Sequence, residues 1–271
     1  MRCVTIVRFL GLAAAVFVLV AAVGCDWWQP SFKRSPKLTL VLSERADDIS
    51  IWAPVIAPSG TDLYYLRIRG LSHNGGVGEL WRARTDGTQT SRVMEGSFRA
   101  FALSRDGSAL AIATDVGYLL LTDADGRVRD TLTRVLTGAV YGVWFSRRDS
   151  ERLYFSADQL HFAINLDGSG MHEVPSDSVD GLPWVQASGH YSLVTLHLGD
   201  FQHDLGIVEA VTGDSSALHA MPYRLCSLKS EWSCWSPDED AVFFSAYEWR
   251  VSDPMRPTPT EIWKYEPVFG R

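Results

Sequence analysis

The sequence of 271 residues lacks most of the short motifs that mark catalytic, metal-binding and nucleotide-binding proteins. It has four cysteines but no Cys-x-x-Cys pair, and it has no His-Glu-x-x-His motif, no Gly-x-Ser-x-Gly elbow and no glycine-rich phosphate loop. Lysine and arginine number 25 against 32 acidic residues, and no long basic run occurs. These absences argue against a structural zinc site, an α/β-hydrolase and a nucleic-acid partner.

Long apolar runs are also scarce, and the clearest one lies near the N-terminus. Arg2 and Arg8 give a basic start, and Phe9–Val23 is almost wholly Leu, Val, Ala, Phe and Gly. This run is short for a membrane-spanning helix, which needs about 20 residues. A basic start, a short apolar run and small residues before a break predict a secretory signal peptide over residues 1–24.

The apolar run ends in Ala22-Val23-Gly24-Cys25, which resembles the lipobox of bacterial lipoproteins. The resemblance implies that Cys25 becomes the first residue after cleavage and carries acyl chains such as palmitate. Each buried methylene of such a chain contributes about 0.8 kcal/mol to membrane binding. Residues 25–36 would then be the lipidated cysteine and its tether, and residues 37–271 the folded domain. An ordinary signal peptide or membrane anchor with a chance cysteine is the alternative.

Two further cysteines, Cys226 and Cys234, lie eight residues apart in a chain that this interpretation sends out of the cytoplasm. Disulfides persist in exported proteins. We therefore expect a bridge that closes a short loop, with two buried thiols as the alternative.

A repeat is the main feature that the sequence does contain. Five segments share an apolar strand, a Ser-containing turn and a second apolar strand. Their serines recur at intervals of 42 to 48 residues, at Ser59, Ser104, Ser146, Ser188 and Ser236. Asp, Gly, Ser and Pro suit tight turns, and the flanking Val, Ile, Leu, Phe and Tyr suit buried strands. This period, with further Asp-Gly turns between short strands, predicts the four-stranded blades of a β-propeller.

Counting the strands predicts how the ring closes. The fifth repeat stops after its third strand, "EIWKYEP", and an unpaired strand, "KLTLVLSE", precedes the first repeat. The N-terminal strand is therefore expected to complete the last blade and to remove its open edge. The expected fold is all-β, a single β-propeller of five four-stranded blades, with six blades as the alternative.

The turns "WSPDED" and "LSRDGS" resemble the WD40-like repeats of the TolB family of periplasmic β-propellers. The resemblance covers nearly the whole mature chain and implies the propeller fold. It does not extend to the separate N-terminal domain of TolB or to its six blades. It therefore supports the fold more than any particular partner.

Candidate binding residues lie in the longer loops that a propeller would bring to one face. The expected rim consists of His73, Asn74, Asp200, Phe201, His203, Asp204, Trp249 and Arg250. Aromatic side chains beside charged and amide groups suit a protein contact or a polar ligand, and solvated loop residues are the alternative. No chelating spacing joins the histidines, so neither a metal nor another cofactor is expected. Tryptophans inside predicted strands, such as Trp144 and Trp184, are expected to pack between blades.

These features favour a lipid-anchored protein of the bacterial cell envelope whose propeller binds a partner without catalysis. The expected partners are the membrane, through the lipid, and an envelope protein; nucleic acid is not expected. One alternative is a propeller-type hydrolase or lyase that acts on carbohydrate or peptide through an acidic pair in the central funnel. Another is a structural subunit of an envelope complex.

Overall fold

A computed structural model describes residues 38–44, 49–69, 78–135, 139–199, 202–213, 215–217, 226–227, 233–248 and 261–267. All of them belong to one compact unit, residues 36–271. The expected signal peptide, Cys25 and the tether lie outside the described residues. Within the described ranges, no helix is long and apolar enough to cross a membrane.

The described residues form nineteen strands and one short 3-10 helix, Ser176–Ser178. In chain order the strands are β1 (Leu38–Ser43), β2 (Ile49–Ile56), β3 (Asp62–Arg69), β4 (Gly78–Arg84), β5 (Ser91–Leu103), β6 (Ala109–Thr114), β7 (Tyr118–Asp123), β8 (Val128–Arg134), β9 (Val140–Phe145), β10 (Arg152–Ala157), β11 (Leu160–Asn165), β12 (His172–Val174), β13 (Tyr191–Gly199), β14 (Gln202–Glu209), β15 (Ser215–Ala217), β16 (Cys226–Ser227), β17 (Ser233–Trp235), β18 (Val242–Glu248) and β19 (Glu261–Tyr265).

Most consecutive strands pair as antiparallel meanders; the exception is β16, which pairs in parallel with β14 and antiparallel with β18. β2, β3, β4 and the first half of β5 form one group, and the second half of β5 forms the next group with β6, β7 and β8. β5 serves both groups because its pairing changes from β4 to β6 at Phe98. β9–β12 form a third group, β13–β15 belong to a fourth, and β17–β19 belong to a fifth. A four-stranded antiparallel meander is the unit of a propeller blade.

Inner strands of the second and third groups are covered on both faces. In β6, all five residues from Ala109 to Ala113 are buried, and β10 is buried at Leu153, Tyr154 and Phe155. A sheet with one face in water would show alternating buried and exposed positions. Continuous burial means that these two groups are packed on both faces at β6 and β10, as the inner strands of a propeller blade are.

Five clusters of buried apolar side chains join the strand groups in order. Three of them join the first group to the second, the second to the third and the fourth to the fifth, and another packs the third group against residues 179–184, which precede β13. The remaining cluster packs Ile51 and Tyr65 of the first group against Phe243 and Ile262 of the fifth. The fold is therefore an all-β propeller, as the repeat predicted. The number of blades, five or six, stays a prediction.

The N-terminal strand β1 lies beside β19, on the outer side of the fifth group. The two strands are antiparallel, with Leu38 opposite Tyr265 and Leu40 opposite Trp263. This pairing confirms the prediction that the N-terminal strand completes the last strand group. Just beyond β1, the Glu44 carboxylate pairs with Arg67 of β3 at 2.8 Å, which ties this strand to the first group as well.

Three glycines show that β1 occupies the same place as the outer strands of other groups. Gly87 lies in the turn after β4 with φ +83°, and a Cβ placed on it would lie 2.0 Å from the carbonyl oxygen of Val41 in β1. Gly126 and Gly168 lie in the corresponding turns of the next two groups, and their Cβ atoms would lie 2.6 Å and 2.8 Å from the carbonyl oxygens of Val93 and Leu132. Each turn therefore contacts the outer strand of the preceding group, and β1 is that strand for the first group.

The expected disulfide is not formed in the structure, where Cys234 is a buried free thiol. Cys226 pairs with Glu248 of β18 and Cys234 pairs with Phe243 of the same strand. Five residues of strand span about 16 Å, whereas bridged cysteines have Cα atoms within about 7 Å of each other. Burial raises the pKa of the Cys234 thiol to about 12, as expected for an unreactive cysteine.

Candidate functional site

The structure describes only part of the rim that the sequence suggested. Six of its members lie outside the described residues: His73, Asn74, Asp200, Phe201, Trp249 and Arg250. The backbone of His203 belongs to β14, opposite His197 of β13. Asp204 also belongs to β14 and is fully buried, with Oδ1 accepting a hydrogen bond from the Leu205 N–H at 2.8 Å. The prediction that Asp204 is an exposed rim residue is therefore wrong, because β14 begins two residues earlier and takes Asp204 into the sheet.

The best-formed concave site lies instead where the first strands of successive groups meet. A cavity of about 640 Å³ is lined mainly by β2, by the second half of β5, by β9 and by residues 181–184, with further residues from β3, β10, β11 and β17. Its lining thus comes from four of the five strand groups and from the segment that precedes β13, and a site shared by successive blades is the arrangement expected near the centre of a propeller. The volume lies within the range of about 300–1,000 Å³ that is usual for small-molecule sites.

Aromatic side chains form much of the cavity wall. Trp52, Phe101, Trp144 and Trp184 all line it. The rings of Trp144 and Trp184 meet edge to face with centroids 5.9 Å apart. Gly142 allows this arrangement, because a Cβ at that position would lie 2.4 Å from the Trp144 ring. Trp144 of β9 packs against a neighbouring element, as expected, whereas Trp184 lies in the turn before β13 and not inside a strand as predicted. Both side chains also line the cavity, which sequence reasoning missed.

The charged groups of the cavity are cations. Arg99, Arg105 and Arg147 line it together with His161, and none of the described lining residues is Asp or Glu. This local charge is opposite to the net charge of the chain, which is −7. The arginines that line the cavity therefore concentrate positive side chains at one place in an acidic protein.

Arg147 holds one wall of the cavity in place. Its Nη1 donates to the Gln186 carbonyl at 2.7 Å, and its Nη2 donates to the carbonyls of Leu182, at 2.9 Å, and Val185. The backbone N–H of Arg147 donates to Asp180 Oδ1 at 2.8 Å. Burial lowers the pKa of the Arg147 guanidinium below its ordinary value, but an arginine remains protonated in proteins. Arg147 thus positions residues 182–186, which include the Trp184 side of the cavity.

Arg99 and His161 have unused hydrogen-bonding capacity. Both side chains are half-buried and line the cavity. The Nε of Arg99 and the Nδ1 of His161 are shielded from solvent, and neither atom has a hydrogen-bond partner among the described residues. Buried polar atoms usually have a hydrogen-bond partner. Two such atoms without one, both on side chains that line the cavity, distinguish this cavity from a gap between apolar side chains. A lone arginine in the apolar stretch "SFRAFAL" was the signal in the sequence that could have pointed to this site.

The repeated serines have a structural role at the hairpin turns. Ser104 Oγ donates to Asp106 at 2.6 Å and accepts the Ala109 N–H at 2.9 Å. Ser236 makes the same type of contact with the Ala241 N–H at 2.9 Å. These bonds close the turn between the first two strands of a group. The SPDG-like motifs therefore stabilise turns and do not form a site.

The described part of the chain contains no group of three or more His, Cys, Asp and Glu residues that could hold a metal ion. The acidic pair of the hydrolase alternative also has no support at the cavity, since its described lining contains no carboxylate. Geometry and charge there suit binding of an apolar or anionic group.

No protein-family model matches the chain, and no curated protein matches it. Three solved structures are similar in fold. They are hydrazine synthase of Kuenenia stuttgartiensis (12% identity, TM-score 0.39, 77% of this chain and 59% of that chain), a putative TolB from Agrobacterium tumefaciens (16%, 0.41, 82% and 91%) and the β-propeller domain of Cps50 (Swd1) from Myceliophteria thermophila (13%, 0.40, 85% and 75%). The chain thus spans about three fifths of the length of the hydrazine synthase chain. The propeller assignment rests on the strand order described above.

Proposed function

We propose that the protein is an exported bacterial lipoprotein whose β-propeller is a non-catalytic binding module, held at a membrane of the cell envelope by lipid on Cys25. The single observation that carries the binding role is the central cavity. Its aromatic walls and three arginines suit recognition, and its described lining has no Asp or Glu from which to build the carboxylate pair of a glycoside hydrolase. The membrane anchor rests on the lipobox-like sequence alone.

The rigid construction of the cavity supports binding in preference to chemistry. Its walls include β2 and β9, each hydrogen-bonded along one side to the next strand of its group, and the segment 182–186 is fixed by three hydrogen bonds from Arg147. A preformed site loses little conformational entropy when a ligand enters. The propeller would therefore bind an envelope component, either a small molecule or a segment of a protein. That component would insert a group that fits the aromatic and arginine side chains of the cavity.

The test is to photo-crosslink the full-length protein in cells, extract it from membranes in mild detergent and identify bound molecules by mass spectrometry. The molecule found should raise the melting temperature of the purified protein and should be recovered chemically unchanged after long incubation. Time-dependent conversion of that molecule would overturn the non-catalytic function. It would also favour the hydrolase or lyase alternative.

A matched pair of variants tests whether binding uses the cavity. Arg147→Met should weaken capture, because segment 182–186 loses its hydrogen bonds. Arg152→Met removes an arginine from the neighbouring strand β10 that pairs with Asp149 at 3.4 Å, outside the cavity lining, and should leave capture unchanged. Equal capture by both variants would contradict a binding role for the cavity.

A further inference from the structure

The arginines of the cavity lack the carboxylate partners that most of the other described arginines have. Six arginines outside the cavity form ion pairs with carboxylates: Arg67, Arg82, Arg84, Arg92, Arg148 and Arg152. No described carboxylate lies within ion-pair distance of Arg99 or Arg105, and Arg147 donates to backbone carbonyls instead. Among the described residues, the three arginines that line the cavity therefore form no side-chain ion pair with a carboxylate.

An uncompensated charge in a partly enclosed site is costly. Arg99 is half-buried, and its Nε is shielded from solvent and has no acceptor among the described residues. Removing charge from water without a partner is unfavourable, and an anion that enters the site recovers much of that cost. The planar guanidinium also matches the two oxygens of a carboxylate or phosphate.

The apolar walls limit what else the ligand must contain. The rings of Trp144 and Trp184 meet edge to face, and Trp52 and Phe101 line the same cavity. A flat or ring-sized apolar part of a ligand can therefore pack against aromatic side chains there. A bare inorganic anion would leave these walls in water and would fill little of the 640 Å³. His161 adds a hydrogen-bonding ring nitrogen whose role depends on its tautomer.

We propose that the central cavity binds an organic anion, a molecule that has a carboxylate or phosphate head and a ring-sized apolar body, and that Arg99 is the residue that binds the head. Arg105 and Arg147 add positive potential, and the tryptophans contact the body. This assignment names a ligand class for the binding module and so rests on the proposed function.

The experiment is a calorimetric titration of the full-length protein in nonionic detergent with four probes. They are 2-naphthoate, 2-naphthyl phosphate, the neutral 2-naphthamide and inorganic phosphate, each corrected for titration into detergent alone. Because charge-assisted hydrogen bonds are the stronger class, at least one organic anion should bind about tenfold or more tightly than the amide. Inorganic phosphate should bind more weakly than that organic anion. A preference between naphthoate and naphthyl phosphate then identifies the head as carboxylate or phosphate.

Two arginines of the same strand give the matched variants. Arg99→Met should reduce the affinity for the anion about tenfold or more and leave the affinity for the amide unchanged. Arg92→Met removes an arginine that pairs with Glu79 at 3.2 Å away from the cavity, and should bind all probes like the original protein. If Arg99→Met does not fold, the ratio of anion to amide affinity in the unmodified protein still decides the question.

Equal affinity for the anion and the amide would overturn the anionic assignment while leaving a small-molecule site. Binding of inorganic phosphate as tightly as the organic anions would overturn the role of the apolar walls. Binding of no probe would overturn the cavity assignment. None of these results decides the proposed function, because in-cell crosslinking reports a partner bound anywhere on the propeller.

Discussion

Gly87→Ala provides a direct test of the contact between β1 and the first strand group. The substitution has two separable costs. A non-glycine residue at the φ of +83° costs roughly 1–2 kcal/mol of the free energy of unfolding. The added Cβ would also lie 2.0 Å from the Val41 carbonyl oxygen, and relieving such overpacking typically costs about 1–3 kcal/mol. The sum is a destabilisation of about 2–5 kcal/mol.

Gly60→Ala is the control, since it isolates the first cost. Gly60 lies in the turn between β2 and β3 with φ +71°, and a Cβ there has no heavy atom within 4 Å. It should therefore destabilise by only about 1–2 kcal/mol. Gly126→Ala repeats the close contact against Val93, at 2.6 Å, and should resemble Gly87→Ala more than Gly60→Ala.

The assay is thermal unfolding, followed by tryptophan fluorescence of the full-length protein in detergent. At this size 1 kcal/mol shifts the melting temperature by about 2–4 °C, so Gly87→Ala should melt roughly 2–12 °C below Gly60→Ala. Equal stability of the two variants would refute the reasoning. It would mean that the turn after β4 does not press on β1 and that the N-terminal strand is not an integral part of the ring.

Three further outcomes are expected. Cys25→Ala should abolish incorporation of labelled palmitate, and continued labelling would contradict the lipid anchor. Cys234 should resist iodoacetamide in the native protein and react once urea unfolds it, because its thiol is buried; rapid native labelling would contradict that burial. Hydrogen bonds from Ser104 and Ser108 lower the pKa of Asp106 to about 2, below its unfolded value of about 3.9. The stability that this carboxylate contributes is therefore present above about pH 4 and is lost as the pH falls through about 2. The difference in urea midpoint between the original protein and Asp106→Asn should shrink between pH 6 and pH 2.5, and a constant difference would contradict the role of the hydrogen bonds.

The order of the strands could be predicted from the sequence because it depends on local signals. Turn residues such as Ser104 and Gly87 recur at nearly regular intervals. Apolar strands separate these turns, and this pattern can be read from the sequence without knowing which strands pack together. Even the long-range pairing of β1 with β19 followed from counting, because one repeat lacked a strand that the N-terminus could supply.

The site could not be predicted in the same way, because it depends on how separate groups meet. The interpretation placed function on long loops, whereas the cavity lies on strands, where Arg99 and His161 look like single polar residues in apolar runs. Asp204 was assigned to a loop because nothing in "LGDFQHD" marks where β14 begins. The prediction of a disulfide between Cys226 and Cys234 was wrong, because residues that are near in sequence can pair with distant positions of the same strand, here at the two ends of β18.

The pairing of β1 with β19 also has a consequence for how the chain folds. Residues 38–43 meet residues 261–265, so this contact closes a loop of more than 200 residues and must wait until nearly the whole domain has been synthesised. Contacts so distant in sequence slow folding, and an unpaired edge strand is prone to associate with other chains. If the chain crosses a membrane with its N-terminus first, β1 emerges first and finds its partner last. The interval between these two events is the period in which this propeller is most exposed to aggregation and proteolysis.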